Sequence, residues 1–218
     1  MTRNDKALRK PRFYFYKMTC DDGGAPCVEY DLLSLAICKP MIRSTAQKGD
    51  VVIGFAANSL SDDNRLIYIA KITTKKCNGA YFRSHEHSGR ADCIYEWVGD
   101  RPRWRRQARY HSPNELVHDL GKGPRYSRAD VLLSTKFRYF GRKGTDGYKR
   151  QFPAIKSAIE KLAQGHRVRH NAKLGDELRH LVKNAWRDSK RCIIGKPHSD
   201  PVRGVCHGYE ACASIILE

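Results

Sequence analysis

Two cations at the start of a short helix are the first residues whose spacing suggests chemistry. Lys39 and Arg43 lie four residues apart in KPMIRSTAQKG, where Pro40 suits the first helical position, so the two side chains can share one face. Because a helix start carries partial positive charge, two cations there require a negative partner. The sequence predicts either an internal carboxylate, Asp21 or Asp22, or a bound phosphate.

Two acidic residues are candidates for acid–base catalysis. Asp21 lies in the glycine-containing loop CDDGGAPC, and Asp92 lies in GRADCIYEW. A carboxylate beside phosphate-binding cations could act as a general acid or base on a nucleotide. The structural alternative for the first loop is an Asx turn capped by Asp21 or Asp22.

Arginines and aromatic residues are mixed in RPRWRRQARY, residues 101–110. Such a mixture suits single-stranded nucleic acid or an extruded base, because arginines contact phosphates while aromatic rings stack on bases. The alternative is a solvated loop with one aromatic residue in the core. The candidate nucleic-acid-binding residues are Arg103, Trp104, Arg105, Arg106 and Tyr110.

Aromatic residues on strands near the basic loops could form a cage for an extruded base. The base-stacking candidates are Tyr95, Trp97 and Tyr139. The alternative places these rings in the hydrophobic core, which is the commoner position of aromatic residues that alternate along strands.

The eight cysteines include no CxxC pair and predict no metal site. Zinc requires four ligands in a compact geometry, and the cysteines and histidines of the tail match no zinc-finger spacing. We therefore expect reduced thiols, no metal and no cofactor. Cys38 follows an apolar run, which indicates a core residue. The tail residues in question are Cys192, His198, Cys206, His207 and Cys212.

The net charge of +18 is concentrated in one part of the chain. Residues 101–150 hold 14 Lys and Arg against 4 Asp and Glu. Because such an excess repels itself in the folded state, we expect an anionic partner. Nucleic acid is the predicted partner, DNA in preference to RNA. The alternative is a basic surface that serves solubility.

The sequence contains no apolar run near the ~20 residues that a membrane span needs, and its first residues lack an apolar signal core. We therefore expect a cytoplasmic protein without a membrane partner. Residues 1–11 are predicted to form a flexible basic arm, and residues 12–218 a single domain.

The elements that must position these residues follow an α+β order, β-rich over 12–141 and helical or mixed over 152–218. The order strand, short helix, Gly-Asp turn, strand, turn, strand is similar to small barrels of the PUA, ASCH and EVE group. The predicted fold is a PUA/EVE-like, partly closed barrel with short helices and a C-terminal helical segment. The main predicted strands are 12–18, 32–38, 51–55, 65–76, 93–98 and 131–141. The predicted helices are 40–48, a segment from Pro153, and 174–187.

Several blocks of the sequence together resemble one family. They are DDGGAPC (21–27), LLSLAICKPMIRSTAQKGDVVIGF (32–55), RLIYIAKIT (65–73), GRADCIYEW (89–97) and VLLSTKFRYFG (131–141). In this order they resemble the second nucleotide modification associated domain family, and the block with CKPMIR and Gly-Asp is the most specific. The positions that match the family pattern are Asp21, Lys39, Arg43, Arg90 and Asp92. The positions that depart from it are Asp22, Gly24, Ala91 and Cys93.

The resemblance implies a role in phage or bacterial systems that modify DNA bases, and it implies no particular reaction. With it, Arg90 joins Lys39 and Arg43 as a candidate phosphate or nucleotide ligand. We expect a nucleic-acid-binding protein that recognises a modified or flipped base. The alternatives are an enzyme that acts on a nucleotide or DNA base, and a partner of other DNA-modification proteins.

Overall fold

A computed structural model of the protein describes residues 9–163 and 165–200. Within these ranges the chain is mixed α+β, with short helices inserted between strands. The strands are β1 (Phe13–Met18), β2 (Cys27–Glu29), β3 (Leu32–Leu35), β4 (Val51–Ala56), β5 (Leu66–Lys71), β6 (Thr74–Lys76), β7 (Tyr95–Val98), β8 (Arg101–Trp104), β9 (Val131–Ser134), β10 (Lys136–Tyr139) and β11 (His166–Arg167). The α-helices are α1 (Pro40–Thr45), α2 (Ala80–Arg83), α3 (Leu116–Leu120), α4 (Tyr148–Gln151), α5 (Pro153–Glu160) and α6 (Ala172–Asp188).

A five-stranded sheet with the order β10-β5-β4-β1-β11 forms the centre. β1 and β4 run parallel, with Phe13 opposite Val51, and the other neighbours are antiparallel. Successive side chains of a strand point to opposite faces. Accordingly Tyr14 and Tyr16 pack into one hydrophobic cluster, and Phe15 packs into another on the opposite face.

A four-stranded sheet with the order β2-β3-β9-β6 packs on the Tyr14 and Tyr16 face of the central sheet. Leu33 and Leu35 of β3 and Leu132 of β9 fill the space between the two sheets. Removal of this apolar surface from water stabilises the stacked sheets.

Helices cover the other face of the central sheet. Phe15 and Phe55 lie in one buried cluster with Ile155 of α5 and Leu178 of α6. α6 begins after Asn171, whose side chain accepts a hydrogen bond from an N–H of the first turn, which is a favourable helix cap.

A third buried cluster lies on the outer face of the four-stranded sheet, where α2, β7 and α3 pack. Ile37, Val131 and Leu133 contribute the sheet side of this cluster, and Tyr81 and Tyr95 contribute the opposite side. Cys38 packs at its edge. This layer positions the candidate site.

The α+β class is confirmed, whereas the described strands form no closed barrel, and the partly closed barrel remains a prediction. The predicted strands 65–76 and 131–141 each divide into two strands that belong to different sheets. The chain passes from one sheet to the other at Ser134, which ends β9. Its hydroxyl lies 2.7 Å from the Lys71 carbonyl and 2.9 Å from the Lys136 carbonyl, and it can donate to either where the strand hydrogen bonding is interrupted.

The arginine-rich segment 101–110, for which a solvated loop is the alternative, contains a strand. β8 pairs with β7 as a hairpin, with Val98 opposite Arg101 and a two-residue Gly-Asp turn between them. Gly99 has φ 58°, which this tight turn requires and which glycine adopts without strain.

The single-domain boundary is still a prediction, and most of the N-terminal arm and residues 201–218 lie outside the described residues. That outer part includes Cys206, His207 and Cys212. In the described ranges, no helix combines the length and apolar character required to traverse a bilayer.

Candidate functional site

Arg43 organises the candidate site, and its side chain is completely buried. Nε donates to the Cys38 carbonyl at 2.7 Å, and Nη1 donates to the carbonyls of Arg128 and Asp130 at 2.6 and 2.7 Å. Nη2 donates to the Asp119 carbonyl at 2.7 Å and lies 3.8 Å from the Oδ1 of the same residue. One guanidinium therefore joins Cys38, two residues before α1, to both ends of the segment 119–130.

This geometry corrects the expectation that Arg43 binds phosphate. Protein carbonyls and one carboxylate surround its donors, and the side chain has no exposed surface to offer a ligand. The compensating anion is Asp119, which lies 76 residues further along the chain, and not Asp21 or Asp22.

Lys39 has a different environment from Arg43. It is half-buried, and its ammonium lies 4.8 Å from the centre of the Tyr16 ring, which is a cation–π contact. No ion pair within residues 9–163 and 165–200 uses Lys39. Lys39 therefore remains a predicted anion ligand.

Cys38, His111 and Asp119 form a linear chain of contacts beside α1. Cys38 Sγ lies 3.3 Å from His111 Nε2, and His111 Nδ1 lies 2.5 Å from Asp119 Oδ2. The backbone N–H of Cys38 donates to Asp119 Oδ1 at 3.0 Å. With Nδ1–H donated to the carboxylate, Nε2 is the nitrogen that can accept the thiol proton. The order thiol, imidazole, carboxylate is the arrangement that activates a cysteine nucleophile.

Asp119 favours its ionised form although it is completely buried. Burial by itself would raise its pKa, but the hydrogen bond and charge of His111, the charge of Arg43 and the hydroxyl of Tyr95 outweigh burial and hold the pKa of Asp119 below its ordinary value. The Tyr95 hydroxyl donates to Oδ2 at 2.8 Å. The carboxylate can therefore orient the imidazole and stabilise its protonated form.

Three residues of this site have a left-handed backbone conformation: Cys38 with φ 55°, Lys39 with φ 41° and His111 with φ 55°. This region is uncommon and strained for residues other than glycine. Such conformations persist only where the surroundings over-determine them, and they concentrate at functional sites. Here the two consecutive left-handed residues, Cys38 and Lys39, turn the chain into α1.

A second buried pair, Arg90 and Asp92, holds the loop before β7 against the four-stranded sheet. Asp92 accepts from the Ser34 hydroxyl at 2.5 Å and from the Tyr81 hydroxyl at 2.6 Å. Arg90 Nη1 and Nη2 donate to backbone carbonyls of residues 27–32, and Nη2 also donates to Ser34 Oγ at 2.8 Å. Arg90 is 7% exposed, and this placement corrects the expectation that it binds a phosphate.

Asp21 belongs to a third polar cluster. One of its carboxylate oxygens accepts from the Tyr139 hydroxyl at 2.6 Å, and the other lies 2.8 Å from His198 Nδ1. The pKa of Tyr139 is well above its ordinary value. Burial is the largest cause, and the charge and hydrogen bond of Asp21 raise the pKa further. Asp21 is therefore a buried partner of Tyr139 and His198. Asp21 and Asp92 have different partners, and neither makes an ion pair with Lys39 or Arg43.

The two aromatic candidates Tyr95 and Tyr139 are at most 2% exposed, so their rings have no face for a base. This corrects the base-stacking prediction for both residues. Trp97 is half-buried, with Phe82 stacked at 6.3 Å and the guanidinium of Arg83 4.4 Å from its ring centre.

The arginines of the β7–β8 hairpin and of the two residues after it are divided between solvent exposure and contacts within the protein. Arg103 is exposed and contacts Glu96 Oε1 at 2.7 Å, and Arg106 is also exposed. Arg105 is half-buried and donates to the carbonyls of Tyr95 and Ser88 at 3.1 and 3.2 Å. The solvent-facing arginines remain predicted nucleic-acid contacts.

Trp104 and Tyr110 contact each other at the end of the hairpin. Trp104 is half-buried and its Nε1 donates to the Tyr110 carbonyl at 3.2 Å. Tyr110 is 6% exposed, and its hydroxyl donates to the Asp22 carbonyl at 3.1 Å. A Cβ at Gly24 would lie 2.7 Å from the Tyr110 ring, so glycine is needed there for the ring to pack. This packing corrects the prediction that Tyr110 contacts nucleic acid, and Trp104 remains a candidate.

A basic cleft of about 520 Å³ lies along the segment that Arg43 holds. Lys122, Arg125 and Arg128 are exposed there, and no ion pair in the described part of the chain uses these three side chains. The lining contains no acidic residue. It consists of Val117, Gly121, Lys122, Gly123, Pro124, Arg125, Ser127 and Arg128.

The sequence interpretation missed the contact between Cys38, His111 and Asp119. It assigned Cys38 to the core and gave no role to His111 or Asp119. The available signal was weak: His111 follows the arginine-rich segment, and Asp119 is one of only four acidic residues among 101–150.

In the described ranges, no group of three His, Cys, Asp or Glu side chains is arranged to hold a metal ion.

Comparison with known proteins gives one match. The family described as nucleotide modification associated domain 2 matches residues 10–202. No curated protein and no solved structure matches the chain. The match covers most of the chain and confirms the resemblance of the sequence blocks. The chain therefore belongs to the nucleotide modification associated domain 2 family.

Proposed function

We propose that the protein binds nucleic acid and recognises a modified or flipped base within a DNA-modification system. The observation that carries this proposal is the basic cleft with exposed Lys122, Arg125 and Arg128 and no acidic residue in its lining. Phosphates of a nucleic-acid backbone are the ligands that such a cluster binds best, because each contact also releases a condensed counterion.

The backbone of the cleft is rigidly supported. Arg43 binds the carbonyls of Asp119, Arg128 and Asp130, so it holds the loop from beneath while the Arg128 side chain is exposed. A held loop loses less conformational entropy when a phosphate binds than a mobile loop does. Arg43 thus contributes to phosphate binding by positioning the loop.

The hairpin of β7 and β8 supplies a second surface for the proposal. Along β8, exposed Arg101 and Arg103 alternate with half-buried Pro102 and Trp104. An exposed arginine row contacts phosphates without base specificity, and a neighbouring aromatic ring can stack on a base. We propose this hairpin as the candidate surface for an unpaired base, with Lys39 as a further phosphate ligand.

A variant that removes only charge tests the cleft. We expect the combined change K122Q, R125Q and R128Q to weaken DNA binding by more than about tenfold at low salt and to lower the slope of log K against log salt by about 3. The measurement is fluorescence anisotropy with single-stranded and duplex oligonucleotides over a salt series.

The matched control removes three exposed lysines from the helical part, K161Q, K173Q and K183Q. It has the same net charge as the cleft variant and should retain more of the affinity and of the salt slope. Equal losses in the two variants would assign the binding to net charge alone. Absence of salt-dependent binding to any oligonucleotide would refute the proposal.

Paired oligonucleotides distinguish the finer parts of the proposal. We expect DNA to bind more tightly than RNA of the same sequence, and a strand with a modified base more tightly than the plain strand. An equal affinity for modified and plain strands would remove base recognition and leave backbone binding.

The enzyme alternative is favoured by a separate observation, the contact of Cys38 with His111 and of His111 with Asp119. A binding protein needs no thiol beside an imidazole whose other nitrogen contacts an ionised carboxylate. We therefore retain an activity on a nucleotide or base as the second candidate function.

A further inference from the structure

The thiol, imidazole and carboxylate beside α1 have the roles of a nucleophilic centre. We propose that Cys38 is a catalytic nucleophile for acyl transfer, with His111 as its general base and Asp119 as the positioning residue, and that its substrate is an acyl group joined by an amide or ester bond to a nucleotide base. The choice of a nucleotide base as the carrier of the acyl group rests on the proposed function. The assignment of Cys38, His111 and Asp119 as a nucleophilic centre rests on geometry alone.

The distances support this assignment of roles. Cys38 Sγ is 3.3 Å from His111 Nε2, which is a normal separation for a sulfur hydrogen bond, and His111 Nδ1 is 2.5 Å from Asp119 Oδ2. Asp119 Oδ1 also receives the Cys38 backbone N–H. The Asp119 carboxylate therefore positions both the general base His111 and the nucleophile Cys38.

The three residues are buried to different extents, and the thiol-bearing residue Cys38 is the most exposed of them. Asp119 is 0% exposed and His111 is 3% exposed, whereas Cys38 is only half-buried. A reactive cysteine lies in a partly exposed, electropositive environment, whereas an inert structural cysteine is enclosed. The neighbouring charged and titratable groups are Arg43, Lys39, Tyr16, Tyr95 and Asp119.

Backbone strain is an independent observation at the same residues. Cys38, Lys39 and His111 all have positive φ, and none is glycine. Strained residues of this kind are maintained at sites where a side chain must hold one orientation. At these residues the thiol and the imidazole, 73 residues apart in the chain, are in contact.

The proposed reaction has two balanced steps. His111 Nε2 takes the thiol proton while Cys38 Sγ attacks the acyl carbon, and the departing base nitrogen or alcohol oxygen receives that proton, which leaves a thioester. Water then attacks the thioester with His111 as the base, releases the carboxylic acid and restores the thiol. Water is the only co-reactant.

Alkylation of the intact chain tests the nucleophile without any nucleic acid. Iodoacetamide at neutral pH, followed by peptide mass spectrometry, compares Cys38 with the exposed Cys77 in the same molecules. We expect Cys38 to react about tenfold faster despite its lower exposure, and His111→Ala to remove that advantage. Reaction of Cys38 at or below the rate of Cys77 in the wild-type protein would overturn the proposal.

Acylation tests the reaction class. We expect p-nitrophenyl acetate to release a burst of about one equivalent of p-nitrophenolate and to leave an acetyl group on Cys38. Cys38→Ser should abolish the burst, Asp119→Asn should slow it by about 100-fold, and Cys77→Ser should leave it unchanged. Absence of acetyl-Cys38 in the wild-type protein would assign the three residues to a structural polar network and overturn the proposal.

An oligonucleotide that contains N4-acetylcytosine tests the substrate class. We expect its conversion to cytosine by the wild-type protein and not by Cys38→Ser. An intact N4-acetylcytosine together with acetyl-Cys38 would overturn the assignment to acylated bases. The alkylation and acetylation results are independent of DNA binding, so they distinguish failure of this centre from failure of the proposed nucleic-acid function.

Discussion

Two buried arginine–aspartate pairs within the described residues have the same residue types, but the pKa values of their aspartates shift in opposite directions. Arg43 pairs with Asp119 at 3.8 Å, and Arg90 pairs with Asp92 at 3.7 Å. The pKa of Asp119 lies below its ordinary value because His111, Arg43 and Tyr95 outweigh burial. Burial raises the pKa of Asp92, although Arg90 and two hydroxyl donors oppose it.

The two carboxylates differ in the groups that they contact besides the arginine. Asp92 receives the hydroxyls of Ser34 and Tyr81, which keeps the cluster closed within the protein. Asp119 contacts an imidazole, and through it a half-buried thiol. One pair therefore contacts only groups enclosed in the protein, whereas the other connects the buried interior to the half-buried thiol of Cys38.

The largest expected effect comes from removing the arginines. Arg43→Met and Arg90→Met should each lower the free energy of unfolding by about 3 to 5 kcal/mol, because each removes the cation beside a buried carboxylate and leaves backbone carbonyls without their donor. At conditions where both variants are folded, only Arg43→Met should also slow Cys38 alkylation. Urea unfolding and iodoacetamide labelling measure the two effects, and equal slowing in both variants would remove the distinction between the pairs.

The two aspartates should give stabilities with opposite pH dependence. The ionised form of Asp119 contributes stability above the ordinary carboxyl pKa, and that contribution is lost as the pH falls through its lower folded pKa. The contribution of Asp92 is present below the ordinary pKa and is lost as the pH rises through its raised folded pKa.

We therefore expect Asp119→Asn to cost about 3 kcal/mol near neutral pH and less in acid. Asp92→Asn should cost about 1 kcal/mol near neutral pH and relatively more in acid. Urea unfolding of both variants and wild type over a pH series measures these differences. The same trend with pH in both variants would contradict the electrostatic contrast.

The tyrosines should show the same contrast on a smaller scale. Tyr95→Phe removes a donor to an ionised carboxylate and should cost about 2 kcal/mol, whereas Tyr81→Phe removes a donor to a carboxyl whose pKa is raised and should cost about 1 kcal/mol. Thermal unfolding compares the two conservative variants. A larger cost for Tyr81→Phe would reverse the order proposed for the two clusters.

The smallest expected effect is at Arg128. Arg43 binds the backbone carbonyl of Arg128, and the Arg128 side chain is exposed, so Arg128→Gln should change stability by less than about 0.5 kcal/mol. It should still weaken DNA binding in low salt. A large loss of stability would show that the Arg128 side chain supports the Arg43 cluster, and the cleft would then be structural.

The sequence predicted the elements whose patterns are local. The aromatic and apolar residues of 12–18, the proline and glycine around α1 and the helical spacing in 174–187 all correspond to observed elements. It failed where a continuous apolar run crosses from one sheet to another, at 65–76 and 131–141. A hydrophobic run has the same composition whether its halves pair in one sheet or in two, so sheet membership was not available from it.

For the candidate site, the sequence by itself determined the family, the excess of positive charge and the need of Arg43 for an anion. The tertiary structure decided that this anion is Asp119 and that His111 lies between Asp119 and Cys38. The physical reason is range: spacing rules describe neighbours within one helix or strand, whereas contacts over more than 70 residues depend on how the layers pack.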